Sequence, residues 1–276
     1  ENRERAMSPS DSPRSLPRRD KALFEREGEL SAIAYLIDEA IEQRAGLGLI
    51  EGAAGIGTSR LLAAGRRRAE GAGFRVLAAR GEELERDFSF GVVRQLFDPA
   101  LVDPHDRAEL LAGLLPPPRR CSPRRVRRIA LAPVTFSFAT LHGLYWVTLN
   151  LTAEQPLLLA IDDLHWCDRP SLRFVAYLLR RLEDLPALVL ATLRPAEPGA
   201  DAALLAEIAA DPMATSVVPR ALSLSAAGAI VRDRLGPEAA DAFCVACHRA
   251  TGGTRSYCTS SSARCVRRAC VRRPPT

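Results

Sequence analysis

The chain has 276 residues, of which 47% are hydrophobic, 26% charged and 5% aromatic. That apolar share can fill a core and excludes wholesale disorder, while no apolar run reaches the roughly 18–20 residues of a membrane span. The net charge of +5 raises nucleic acid as a partner, but residues 116–134 and 251–276 hold twelve arginines and no acid, so the remainder is net acidic. Of 38 basic residues only Lys21 is a lysine, an Arg bias that reads as GC-rich coding rather than as function. Residues 1–21 mix charge with Ser and Pro and lack the apolar stretch of a secretory signal. The expectation is a flexible leader there and a soluble, cytoplasmic chain.

In chain order, Leu30, Ile33, Leu36, Ile37 and Ile41 recur at helical spacing and predict a helix to about Arg44, ended by Gly46. Leu47–Ile50 predicts a strand, and the Gly-rich run from Gly52 to Gly57 leads into a second helix. A strand follows over 74–79, then helices at 89–97 and 106–114. The Pro- and Arg-rich block 116–134 has no usable periodicity. Beyond it come a helix over 139–151 and a buried strand from Pro156 to Ile161 that ends in Asp162-Asp163. Ser171 is read as the cap of a helix over 172–183. A strand over 187–193 ends at Arg194-Pro195, and helices fit at 201–210, 225–235 and 237–250. Strands alternating with helices predict an α/β fold with a mainly parallel sheet.

The chain carries seven cysteines, three of them (Cys258, Cys265 and Cys270) in the basic tail. Cys244-Val-Ala-Cys247-His248 matches the pattern for c-type haem attachment. It sits in an amphipathic helix with no export signal ahead of it, and the tail cysteines lack zinc spacing. Both haem and zinc are rejected.

A strand, then Gly52-x-x-Gly55-x-Gly57-x-Ser59, then a helix is the layout of a phosphate cradle. Glycines let successive N–H groups converge, and the helix N-terminus adds positive dipole. The main chain of Gly52, Ala53, Ala54, Gly55, Ile56, Gly57, Thr58, Ser59 and Arg60 is the candidate nucleotide contact. The hydroxyl of Ser59 stands where a P-loop binds Mg²⁺, but Thr58 occupies the lysine position. A hydroxyl cannot supply that charge, Lys21 is the sole lysine, and Arg60 points roughly 100° away around the helix. Asp162 is the candidate Mg²⁺ ligand and Asp163 the group that polarises water. Arg194, at the end of the next strand, is placed to reach a γ-phosphate.

These residues carry a resemblance. Phe24–Leu30 resembles the LxGREaEL opening, and Gly52–Leu62 the GxxGIGKTRLL loop, of the ATPase domain in large LuxR-type bacterial transcription regulators. Phe90–Phe97, Leu141–Trp146, Leu157–Leu182, Ala191–Pro195 and His248–Gly253 are similar to that family as well. The resemblance spans about 22–253 apart from 116–134. Two departures are Thr58 for lysine and Glu25 for the Gly of the opening motif. It implies the STAND class of signalling NTPases: ATP and Mg²⁺ binding that switches a regulator, with slow hydrolysis as reset. It places His165 and Trp166 in packing or orienting the loop after the acidic strand. It leaves DNA contact to a helix-turn-helix domain that is not in this chain.

After Gly253 the family continues with Asn-Pro and a leucine-rich helix, where this chain has Thr254-Arg255-Ser256-Tyr257-Cys258. Back-translation with one base restored gives Asn-Pro-Leu-Leu-Leu-His-Glu-Leu-Leu-Arg-Ala. The expectation is an out-of-frame, disordered basic tail over 254–276, with 116–134 of similar character.

The expected architecture is therefore a three-layer α/β P-loop NTPase over 22–195, with 116–134 as an irregular basic insert. The start of a helical lid subdomain follows over 196–253. The expected function is an ATP-binding switch module with impaired hydrolysis, whose partners are ATP and either a second copy or an effector protein, with no membrane. Three alternatives stay open: an ATPase module attached to a kinase or cyclase output, a pseudo-NTPase scaffold that holds partners and no nucleotide, and DNA binding through the arginine runs.

Overall fold

A computed structural model describes residues 23–101 and 138–254. The expectations for 1–21, 106–114, 116–134 and the tail beyond Thr254 lie outside those residues.

Helix α1 (Glu27–Ile41) buries Ile33, Leu36, Ile37 and Ala40, the face that steps of three and four residues create. It stops at Ile41 rather than Arg44. Gln43 turns the chain with φ of 62°, and Gly46 opens strand β1 (Gly46–Glu51) instead of ending the helix. Then come α2 (Thr58–Gly71), β2 (Arg75–Arg80), α3 (Gly91–Phe97), α4 (Phe138–Glu154), β3 (Leu157–Asp162), α5 (Arg169–Leu179) and β4 (Ala187–Leu193). They are followed by α6 (Ala202–Ala209), β5 (Ala214–Val217), α7 (Leu224–Leu235) and α8 (Asp241–Thr251).

Among the described residues the sheet has five strands in the order β2-β3-β4-β1-β5, and every pairing is parallel. Strand β4 is buried along its whole length and β3 up to Asp162, as a parallel sheet between helical layers requires. On one face Ile33, Ile37, Leu61 and Leu62 pack against Ile50, Leu158, Leu188 and Leu190. On the other, Phe97, Leu141, Phe174 and Leu204 pack against Leu49, Leu159, Ile161 and Val189. The fold is the expected three-layer α/β sandwich.

Two local expectations need correction. Helix α5 starts at Arg169 and ends at Leu179, and its cap is Asp168, whose carboxylate accepts the Ser171 N–H. Ser171 lies inside the first turn: Pro170 suits the start of a helix because it needs no N–H donor there, and the aspartate ahead of it takes the cap. Strand β5 has no counterpart in the sequence reading. Its four residues Ala-Thr-Ser-Val leave Thr215 and Ser216 exposed at the sheet edge, so no alternation of apolar residues announces it. The sheet thus continues past residue 195.

The order has one consequence for function. It sets the C-terminal ends of β1, β3 and β4 side by side, and a crevice outside those ends is where open parallel sheets bind ligands.

Candidate functional site

The turn after β1 is shaped by its glycines, of which Gly55 takes φ of 81°. Gly57 takes φ of 113°, the left-handed region that a side chain disfavours, and forms the N-cap of α2. Gly52 is set by close approach: a Cβ there would lie 2.6 Å from Ile56 Cγ2 and 3.2 Å from Thr58 Cγ2. Ile56 is buried and closes the turn through its N–H to the Ala53 carbonyl at 3.2 Å. Helix α2 has no side-chain cap and no acid in its first turn, so the positive end of its dipole favours an outside anion.

Beside that helix start, three oxygens gather. The Ser59 hydroxyl donates to Asp162 Oδ1 at 2.9 Å, and the Thr192 hydroxyl donates to the same oxygen at 2.7 Å. Both hydroxyls spend their proton on the carboxylate, which leaves the lone pairs of Ser59 for a cation. Thr192 Oγ1 also accepts the Asp163 N–H at 2.7 Å. The sequence reading assigned Thr192 no site role, although a signal existed. It is a buried hydroxyl in a strand of otherwise apolar residues, and buried polar groups are there because something bonds them.

Asp163 follows β3 in a left-handed conformation, φ 55° and ψ 52°, which Asp tolerates better than most residues. Its Oδ2 accepts two hydrogen bonds from Arg80, from Nε at 3.1 Å and from Nη2 at 3.0 Å. Its Oδ1 lies 3.9 Å from Nε2 of His165. The Nδ1 of that ring accepts the Arg194 N–H at 3.3 Å. Burial pushes the His165 pKa below the ordinary histidine value, against the pull of Asp163. The Arg194 side chain pairs with Glu197 at 2.9 Å. The ends of β3 and β4 therefore bring Asp162 to Ser59 and set Asp163 beside them, with Thr192 and Arg80 bonded to the two carboxylates; the Arg194 side chain is turned to Glu197, and only its main-chain N–H joins the network, through His165.

Two buried charges hold the surroundings. Arg26, 3% exposed, donates to the carbonyls of Ile56 at 3.3 Å, Arg220 at 2.8 Å and Glu25 at 2.8 Å. It ties the turn after β1 to the link between β5 and α7. Next to it, Glu25 accepts the N–H of Ser223 at 2.8 Å and the Ser223 hydroxyl, and that hydroxyl holds its carboxyl below the usual range. Asp168, 2% exposed, accepts from the N–H groups of Phe90 at 2.7 Å and Ser171 at 3.0 Å and from the Ser171 hydroxyl at 2.6 Å.

A cavity of about 530 Å³ lies between the start of α1 and the segment around the end of β5, lined by Glu25, Arg26, Glu29, Val217, Arg220 and Ser223 and by no residue of the turn after β1. Cys244 and Cys247 pack against Val231 in the α7–α8 pair, and His248 Nε2 lies 2.9 Å from the Leu222 carbonyl. Among the described residues no group of three His, Cys, Asp or Glu side chains gathers around a point. A single carboxylate with a hydroxyl oxygen is nevertheless a donor set that fits Mg²⁺, a hard ion that keeps water and phosphate oxygens in its shell. No helix among the described residues is long and apolar enough to cross a membrane.

No curated protein matches the chain. Among solved structures, a RuvB variant from Thermotoga maritima is 12% identical over 87% of this chain, with a TM-score of 0.46. A STAND protein with a tetratricopeptide repeat sensor from Pyrococcus horikoshii is 14% identical over 85% of it, with a TM-score of 0.47. Cdc6p from Pyrobaculum aerophilum is 12% identical over 80%, with a TM-score of 0.47. The matches span 61%, 29% and 51% of those three chains. The family model of the AAA ATPase domain matches residues 22–191, from just before α1 into β4 and so across every residue of the turn, Asp162 and Asp163. The match covers well over half of the sequence, and the chain belongs to the AAA ATPase domain family.

Proposed function

We propose that this chain is the nucleotide-binding switch module of a LuxR-type transcriptional regulator, one that binds ATP with Mg²⁺ and hydrolyses it poorly. The observation that carries the nucleotide reading is the Ser59–Asp162 bond of 2.9 Å, which joins the start of α2 to the end of β3 across 103 positions. It sets a phosphate cradle beside an oxygen pair suited to Mg²⁺. The LuxR assignment rests on the ordered motifs of the sequence. In such a protein DNA contact belongs to a helix-turn-helix domain elsewhere, and this module's own partners are ATP and a second copy or an effector protein.

In this reading the main chain from Gly52 to Arg60 surrounds the phosphates, and Ser59 and Asp162 hold Mg²⁺. The metal, when bound, neutralises phosphate charge. Asp163 orients and polarises a water molecule, and Arg194 supplies positive charge toward the terminal phosphate. Thr58 stands where a lysine would add a full charge to the phosphates, and its hydroxyl contributes at most a hydrogen bond. That substitution is why poor hydrolysis belongs to the proposal.

Thr58 also favours a second reading, a scaffold that holds protein partners and no nucleotide. Calorimetry with Mg-ATP on this chain and on Thr58→Lys separates the two. The switch reading expects binding by both, tighter in Thr58→Lys. Binding by Thr58→Lys alone identifies a phosphate loop silenced by one residue. No binding by either folded chain overturns the nucleotide reading in favour of the scaffold.

A further inference from the structure

His165 is 3% exposed, and neither the cradle nor the cation ligands use it. Its surroundings fix its protonation by logic alone. The main-chain N–H of Arg194 can only donate, so Nδ1 at 3.3 Å must be the bare, accepting nitrogen. In the neutral ring the proton then sits on Nε2. That N–H is fully buried and has no hydrogen-bond partner among the described residues. An unmatched buried donor is a cost a fold does not keep without reason. An acceptor lies within a small movement: Asp163 Oδ1, at 3.9 Å.

Asp163 is held off that donor from the other side. Its Oδ2 is taken by the guanidinium of Arg80, whose side chain is 62% exposed while Asp163 is 17% exposed. The carboxylate thus stands between a solvent-facing cation that holds it and a buried neutral donor that waits for it. Its main chain is pinned through the Thr192 hydroxyl, so the side chain alone can choose.

We propose that His165 is a positioning residue of the nucleotide site, whose Nε2–H takes Asp163 Oδ1 when Arg80 lets go and so aims the carboxylate. Because its other nitrogen is fixed by the main chain of Arg194, the imidazole also locks the end of β3 to the end of β4. The consequence for water activation rests on the nucleotide reading above. The contact itself does not.

The test is therefore made without nucleotide. The chain has four histidines, so long-range ¹H–¹⁵N spectra of the uniformly ¹⁵N-labelled protein resolve each ring, and His165→Gln assigns the signal. The groups facing this ring are Asp163, Arg194, Glu197 and Asp162. His165 is expected to show the Nε2–H tautomer. In Arg80→Ala the Hε2 and Nε2 resonances are expected to move downfield as the bond to Asp163 forms, and Arg80→Ala combined with Asp163→Ala should lose that shift. An Nδ1–H tautomer, no response to Arg80→Ala, or an equal response without the Asp163 carboxylate would each overturn the proposal. Thermal unfolding of each variant confirms that the ring is read in a folded chain. Calorimetry with Mg-ATP on the same samples is a separate readout. Failed binding with the spectra as expected removes the nucleotide reading and leaves the contact standing, and the reverse result removes the contact alone.

Discussion

Arg80, the last residue of β2, holds Asp163, the first residue after β3, through two contacts of 3.1 and 3.0 Å to a single carboxylate oxygen. The pairing follows from the sheet register, in which Arg80 stands opposite Asp162. A carboxylate oxygen engaged by a guanidinium is not free to orient a water molecule. Arg80→Ala, made in a Thr58→Lys chain, is therefore expected to raise phosphate release by about 10-fold, a part of the roughly 10²–10⁴-fold that a fully positioned acid–base group contributes. Asp163→Asn in the same background should abolish the gain. The pair is mostly exposed on the Arg80 side, so its loss should change stability by no more than about 1 kcal/mol.

Gly52 is required by space. Gly52→Ala places a Cβ 2.6 Å from Ile56 Cγ2, and the buried Ile56 side chain has little room to retreat. The expected result is a displaced turn, with stability lower by about 1–3 kcal/mol as for other overpacked sites. Mg-ATP affinity should fall in parallel, read by denaturant unfolding and calorimetry.

Removing the Asp168 carboxylate should be among the most damaging single changes. It satisfies the Phe90 and Ser171 N–H groups and the Ser171 hydroxyl, and the Val92 N–H lies 3.3 Å from it. Asp168→Ala strands several buried donors, each worth about 1–3 kcal/mol. A loss of at least about 3 kcal/mol is expected in urea unfolding. Asp168→Asn, which keeps one acceptor oxygen, should lose less.

Burial lowers the His165 pKa in the folded chain, and this predicts a pH dependence of stability. The unfolded chain takes up a proton near the ordinary histidine value of about 6.5, while the folded chain resists it. The unfolded state then binds more protons, so stability falls as the pH drops below that value and recovers above it. Thermal unfolding at about pH 7.5 and about pH 5.5 should show this drop. His165→Gln should reduce it, and an unchanged drop would assign the effect to other groups.

Much of this was legible in the linear sequence because local rules govern it. Helical spacing on α1, apolar runs for β1, β3 and β4, and a glycine turn between strand and helix all report a residue's near neighbours. The turn at Gly52–Gly57, the acidic pair Asp162-Asp163 and the strand-ending Arg194 were found this way. Helix ends were less legible: Asp168 displaced Ser171 as the cap of α5, because a cap is decided by which side chain can reach the free amides.

The sequence by itself determined which segments bury an apolar face, where the chain turns on glycine and which residue types carry charge at strand ends. Only the tertiary structure decided the strand order, because parallel pairing joins residues far apart and leaves no local trace. Strand β5, with two exposed polar residues among four, was silent for that reason. The same order placed Arg80 against Asp163, Thr192 against Asp162 and Arg26 between Ile56 and Arg220. Each of these contacts spans at least 30 positions, a separation over which helical and strand periodicities carry no information.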